Sequence, residues 1–250
     1  MSYVDLHCHL LPGIDDGARA TSDALRHAGR LAAEGVRDVA CTPHVKRAMF
    51  PRVALGELAE RRRALQAAID GQGLGVRLHP GGELAHEDAL ALEREQLALI
   101  AQGPPGRRWV LLECPFEGIG DEFIAAAERL AGLGYGILLA HPERAPSGHA
   151  LLWPLLDAGA RAQVNVCSLL GNNGPAAFAL AVAMVHDGRA HCLASDGHPG
   201  SREHTLRRGF NLALQAGVSI PRARRLTQAN PRGLLHEGLA PPAVGARLAA

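Results

Sequence analysis

The sequence predicts an α/β fold, with strands and helices alternating around a mostly parallel sheet that closes as a barrel or near-barrel. Three observations carry this. Short β-rich runs recur seven times along the 250 residues. Each leads through a polar strand end into a helical stretch, the order that parallel βα units require. The runs are continuously apolar, as strands covered on both faces are. Seven such units favour closure over an open sheet, and single α/β barrels reach this length.

The first strand is expected at Tyr3–His7. The helix TSDALRHAGRLAAEG follows, with Thr21 or Ser22 placed as its cap. Leu25, Ala28, Leu31 and Ala32 recur at helical spacing, and Gly35 is the stop. Val36–Cys41 is the second strand. ELAERRRALQAAI then puts Leu58, Leu65 and Ile69 on one side of a helix. Val76–His79 and Trp109–Cys114 are strands three and four. A helix over Asp121–Leu133 turns Phe123, Leu130 and Leu133 inward before the fifth strand, Ile137–Ala140. Leu151–Ala158 is helical, Ala162–Val166 is strand six, Ala176–Asp187 is helical and His191–Ala194 is strand seven. Helices over Thr205–Ala216 and Arg222–Gln228 follow, the second ending before the Asn230-Pro231 break. GQGLG and AQGPPGRR read as loops. With 47% hydrophobic residues there is enough for a substantial core. No Gly-, Pro- or Ser-rich linker divides the chain, so residues 1–250 read as one domain, with 238–250 a loosely attached tail.

A formal net charge of +1 gives no footprint for nucleic acid or an anionic membrane. The five cysteines, Cys8, Cys41, Cys114, Cys167 and Cys192, are scattered and odd in number, which excludes a full disulfide framework and points to a reducing compartment. The N-terminus has no basic segment followed by a long apolar run. Apolar stretches fall short of the roughly 18 residues of a membrane span. The expectation is a cytoplasmic protein that is not membrane-embedded.

Metal-capable residues fall at the strand ends. His7 and His9 follow strand one, His44 strand two and Glu83 strand three. Glu113 ends strand four, His141 follows strand five, and Asp196 and His198 follow strand seven. The C-terminal rim of a parallel barrel is where such groups converge. Alternate strand residues point the same way, so His7 and His9 can reach one ion, and Asp196-x-His198 repeats the spacing. Eight candidate ligands exceed the needs of one ion, so two or three ions are expected, and mixed N/O donors suit Zn, Mn or Fe. Asp15-Asp16-Gly17 is either an acidic turn or a source of outer ligands beside the His pair. Arg144 and Arg202 are either phosphate forks or arginines satisfied by local carboxylates. Cys41 and Arg47 in CTPHVKR match the spacing of a cysteine-phosphatase loop. Pro43 removes a backbone donor there and the loop lacks Gly, so this is read as coincidence. Ser195 lacks the G-x-S-x-G setting of a serine nucleophile.

Together these motifs resemble the PHP (polymerase and histidinol phosphatase) superfamily, and more closely its bacterial CpsB/YwqE-type tyrosine-protein phosphatases. The resemblance runs from DLHCHLLPGIDDGA through CTPH, PGGE, LLECPF, LAHPER and ASDGH to TQANPRGLL. It implies a distorted (β/α)7 barrel with a three-metal cluster held by His7, His9, His44, Glu83, Glu113, His141, Asp196 and His198, with Mn preferred over Fe or Zn. It implies phosphate binding by Arg144 and Arg202, although Arg202 comes one residue earlier than in the family, and Pro199 stands where the family has Asn. The implied reaction is hydrolysis of protein phosphotyrosine by direct in-line attack of a metal-bound hydroxide. Asp196 or His198 would relay a proton. The implied partner is a tyrosine autokinase of capsule or exopolysaccharide synthesis. Phe116 would either contact the substrate ring or pack in the core. The competing readings are a histidinol or other small-molecule phosphatase, a phosphodiesterase or nuclease, and a non-catalytic metal-binding regulator.

Overall fold

The structure is a computed structural model that describes residues 2–243. The chain starts with β1 (Tyr3–Cys8), α1 (Thr21–Ala33), β2 (Val36–Cys41) and β3 (His44–Val45). Next come α2 (Leu58–Gly71), β4 (Arg77–His79), β5 (Glu83–Leu84), α3 (His86–Ala91) and α4 (Arg94–Ile100). The middle holds β6 (Trp109–Glu113), α5 (Asp121–Gly132), β7 (Gly136–Ala140) and α6 (Leu152–Asp157). After β8 (Arg161–Asn165) come α7 (Val166–Leu169), α8 (Pro175–Asp187) and β9 (Ala190–Ala194). The chain closes with α9 (Leu206–Gln215), α10 (Ile220–Arg224) and α11 (Asn230–His236).

The ladders are parallel, in the orders β1-β2-β4 and β3-β5-β6-β7-β8-β9. Nine segments still amount to seven strands. β2 runs into β3 across Thr42-Pro43, and β4 into β5 across Pro80-Gly81-Gly82. Proline has no N–H to give to a ladder, so each strand is cut in two and its halves pair in different sheets. A parallel bridge between Cys8 and Gly197 joins the first strand to the chain leaving the last, and the His9 N–H donates to the Gly197 carbonyl at 2.8 Å. The seven strands thus come round in sequence order as a distorted barrel.

The large apolar cluster lies between strands and helices and includes Leu31, Val39, Leu112, Phe123, Leu139 and Val164. A smaller one takes Val4, Leu6, Trp109, Leu111, Leu138, Ala140 and Cys192 together with Leu234 and Leu239. Trp109, Leu111 and Glu113 alternate along β6 onto one face, so the apolar stack leads up to the polar strand ends.

Several expectations are corrected. α1 is flanked by Ala20 and has no side-chain cap; Thr21 is already helical. The chain does not break at Asn230-Pro231. α10 passes through a π-helical turn, Arg225–Ala229, into α11, where Pro231 sits in the first turn and needs no donor. Of the tail, residues 238–243 are docked: the Leu239 N–H bonds the Arg107 carbonyl at 3.0 Å and the Ala243 N–H the Ala158 carbonyl at 2.8 Å. Residues 244–250 lie outside the described residues.

Candidate metal centre

Four side chains from three strand ends point at one gap. His7 Nε2 and His9 Nε2 are 3.2 Å apart. Glu83 Oε2 is 3.2 Å from each, and Asp196 Oδ1 is 3.4 and 3.5 Å from them. A tetrahedron of N and O ligands at about 2.0–2.1 Å from an ion has edges of about 3.4 Å. The quartet has ion-sized spacing, and all four residues are buried. Glu83 Oε2, His44 Nδ1 and His141 Nδ1 are buried without a hydrogen bond, a costly condition that a cation among them would relieve at the first two. The donor set fits a transition metal.

Two further groups adjoin the first. His9, Asp16, His44 and His198 form one, and His44, Glu83 and Glu113 the other. Asp16 Oδ1 is 3.4 Å from His44 Nε2 and 3.2 Å from His198 Nε2, while His44 Nδ1 is 3.0 Å from Glu83 Oε2. The three groups could therefore hold two or three ions with shared residues. Asp15 acts differently from Asp16. Its Oδ2 accepts from His9 Nδ1 at 2.9 Å and from the His44 N–H at 3.1 Å. A proton fixed on Nδ1 leaves Nε2 free for a metal. Gly17 allows the tight turn, since a Cβ there would lie 2.2 Å from the His9 carbonyl oxygen.

Sequence reasoning missed the support beneath the ligands. His7 Nδ1 donates to Gln163 Oε1 at 3.0 Å, Gln163 Nε2 to Asn165 Oδ1 at 2.6 Å, and Asn165 Nδ2 to Asp196 Oδ2 at 2.7 Å. This relay ties two ligands of the quartet together. Its signal was present: AQVNV places two amides at alternate positions in an otherwise apolar strand, hence on one face. Asp5 was missed as well. Its Oδ1 accepts from the Ser195 N–H at 3.1 Å, and burial pushes its carboxyl up to about 6. Buried Glu143 accepts from the Asn165 N–H at 2.9 Å and the Ser168 hydroxyl at 2.7 Å, and burial lifts it to about 7.

His141 stands apart from the three groups. Its Nε2 is 2.7 Å from Glu83 Oε1, and burial pushes its pKa down to about 4. His141 and Asp196 both adopt left-handed backbone, φ 34° and 49°, strain that clusters at functional sites. Both arginines bind a local carboxylate. Arg144 Nη1 donates to Asp196 Oδ2 at 3.0 Å, and Arg202 donates through Nε to the Asp196 carbonyl at 2.7 Å and through Nη2 to Oδ1 at 3.2 Å. Arg202 Nη2 is also 2.9 Å from His198 Nδ1. Phe116 is 46% exposed, stacked on His141 at 5.8 Å and covered by the Arg144 guanidinium at 4.4 Å, so it is a rim residue and not core packing.

The electrostatics fit a cation site. Burial works to raise Glu83 and Asp196, yet both carboxyls are held well below the usual range, Glu83 by His7 and His44 and Asp196 by His7, His9 and Arg202. Glu113, pushed up to about 7 by burial and then by the Glu83 charge, is short of positive charge. The cysteine loop is inert: Cys41 is 1% exposed, burial lifts its thiol to about 12, and Arg47 pairs with Asp88 instead.

Comparison with known proteins gives the chain its relatives. The chain is 26% identical over 225 residues to the tyrosine-protein phosphatase YwqE of Bacillus subtilis (strain 168), covering 87% of each. It is 28% identical over 214 residues to the protein named CapC of Staphylococcus aureus, covering 83% of this chain and 82% of that one. Among solved structures its fold is similar to one from work on YwqE of Bacillus subtilis and CpsB of Streptococcus pneumoniae, described as unique metal-dependent tyrosine phosphatases. That match has a TM-score of 0.76 and 24% identity, covering 98% of this chain and 100% of that one. A family model described as capsular polysaccharide synthesis, CpsB/CapC, matches residues 3–236. Running from the first strand to the last helix, that match makes the chain a member of the CpsB/CapC family.

Proposed function

We propose that the chain is a metal-dependent phosphomonoesterase acting on phosphotyrosine in proteins. The observation that carries this is the ion-sized quartet His7, His9, Glu83 and Asp196 beside two arginines and an exposed aromatic rim. The names of the relatives supply the substrate class. His7, His9, Glu83 and Asp196 would hold one ion, and His44, Glu113, Asp16 and His198 would complete the sites beside it. His141 would either join them or orient Glu83 through its hydrogen bond. When bound, the ions supply Lewis-acid charge toward phosphoryl oxygens and lower the pKa of water. Manganese is favoured by the family resemblance, and the donors also suit iron or zinc.

The chain's own groups do the rest. Arg144 has spent one donor on Asp196 and has others for a phosphoryl oxygen, where its fixed charge would stabilise the transition state. Arg202 would hold Asp196 and His198 in place and present its outer edge to the phosphate. His198 would pass the proton to the leaving oxygen, since the Asp196 carboxyl is held well below the usual range and stays ionised. Phe116 would face the tyrosine ring and give a peptide-borne substrate an open approach. A phenol leaves readily because its pKa is near 10. The partner would be a phosphotyrosine protein such as a tyrosine autokinase of capsule or exopolysaccharide synthesis, met in the cytoplasm. No described helix is long and apolar enough to cross a membrane.

The test compares kcat/KM for a phosphotyrosine peptide, a phosphoserine peptide and histidinol phosphate in one metal-loaded preparation. Phosphotyrosine is expected to lead by at least about tenfold, roughly 1.4 kcal/mol. A preference for histidinol phosphate would transfer the substrate to the small-molecule class and leave the metal centre standing.

A further inference from the structure

We propose that the chain carries a second anion site at the opposite end of the barrel, fitted to a small compound with several phosphate charges. A cavity of about 510 Å³ opens there, within the range of small-molecule sites. Its wall includes Arg161 and His191 at the starts of β8 and β9, Arg189 after α8, and Arg222 and Arg225 from α10 and the π-helical turn. The metal-centre residue Asp196 follows the other end of β9. At about 3.3 Å per strand residue, the two sites lie roughly 16 Å apart.

Charge is the argument. Four arginines line the cavity with a single acidic residue, Asp157. Among the described residues none of the four is ion-paired, whereas Arg47, Arg144 and Arg202 each meet a carboxylate. Their known partners are neutral. Arg222 Nη2 donates to the Val185 carbonyl at 2.7 Å, Arg161 Nη1 to the Ala160 carbonyl at 3.0 Å, and Arg189 lies 4.0 Å over the Trp153 ring. These contacts hold Arg161, Arg189 and Arg222 without neutralising them. His191 adds no charge, because burial and then Arg161 push its pKa down to about 4. Unneutralised cations around one cavity repel one another, and a multivalent anion removes that repulsion. Planar guanidinium forks match phosphate oxygens, and the spread of arginines around the wall favours several linked phosphates over one. The inference is independent of the phosphatase reading.

The structure also supplies a reporter. The chain has two tryptophans. Trp109 is fully buried and bonded to the Leu234 carbonyl at 2.8 Å, while Trp153 lies under Arg189 beside the cavity. The experiment titrates tripolyphosphate into the full chain and follows tryptophan fluorescence. It is repeated on His9→Ala, whose metal centre is broken, on Arg161→Ala/Arg225→Ala, and on the single exposed change Arg225→Glu, with thermal melts to verify folding. Saturable responses of equal affinity are expected in the wild type and His9→Ala. Binding should weaken by at least about tenfold in both cavity variants. Sulfate at the same ionic strength should give no saturable change. A response that survives the cavity variants, disappears in His9→Ala, or is matched by sulfate would overturn the proposal.

Discussion

Replacing Gln163 by Leu removes no expected ligand and should still weaken metal binding. Gln163 lies under His7, holding its Nδ1 at 3.0 Å and donating to Asn165 at 2.6 Å. Leucine has similar bulk and no polar atoms, so His7 loses the acceptor that keeps its proton on Nδ1 and its lone pair on Nε2. Losing such a partner typically costs about 10- to 100-fold in metal affinity, or about 1.4–2.7 kcal/mol. Two buried groups, His7 Nδ1 and Asn165 Oδ1, are also left unpaired, at about 1–3 kcal/mol each. In a chain this long, each kcal/mol lowers Tm by about 2–4 °C. The assay is competition with a chelator of known affinity, followed by kcat at saturating metal. The expected result is a folded chain with weaker binding and activity largely recovered at high metal. Unchanged affinity would refute the relay. So would a folded variant whose activity no metal concentration restores, since the amide would then act on the chemistry and not on the ligand.

Cys41→Ser should keep kcat near wild type, because a buried thiol with its pKa at about 12 is no nucleophile; steady-state kinetics check this, and a folded but inactive variant would revive the cysteine mechanism. Glu143→Gln should change the pH dependence of stability. The folded carboxyl sits at about 7, above its ordinary 4.5, so its contribution is fully present below pH 4.5 and lost as pH rises to about 7. Glutamine removes that loss. Relative to wild type the variant should gain about 1–3 kcal/mol between pH 5 and pH 8; denaturant unfolding at the two pH values measures it, and a constant difference would contradict the assignment.

How much was legible depended on the kind of signal. Periodicity located the seven strands and most helices, because burial on both faces leaves continuous apolar runs. It missed the division of strands two and three, which Pro43 and Pro80 cause through pairing that a local window cannot show. It also missed α3 and α4 in HEDALALEREQLALI, although Glu93 and Gln96 form a capping box there. At the centre, His7-x-His9 was readable because strand geometry alone puts both rings on one side. The different tasks of Asp15 and Asp16 were not readable, since a turn, and not a repeat, decides which carboxylate faces which imidazole. For Arg202 the sequence left a phosphate fork and a local carboxylate both open, and the antiparallel bridge between His198 and Arg202 brings its guanidinium onto Asp196 and His198. That is a long-range consequence of a short hairpin.

Metal content measured together with activity tests the central claim most directly. Purified chain is analysed for transition metals, stripped with chelator, assayed on a phosphotyrosine peptide, reloaded and assayed again, with His9→Ala in parallel. His9 belongs to two of the three ligand groups, so its loss should empty more than one position. The account predicts more than one ion per wild-type chain, activity that falls with stripping and returns with reloading, and a folded His9→Ala chain that neither holds the ions nor turns over. A metal-free preparation with full phosphatase activity would contradict it.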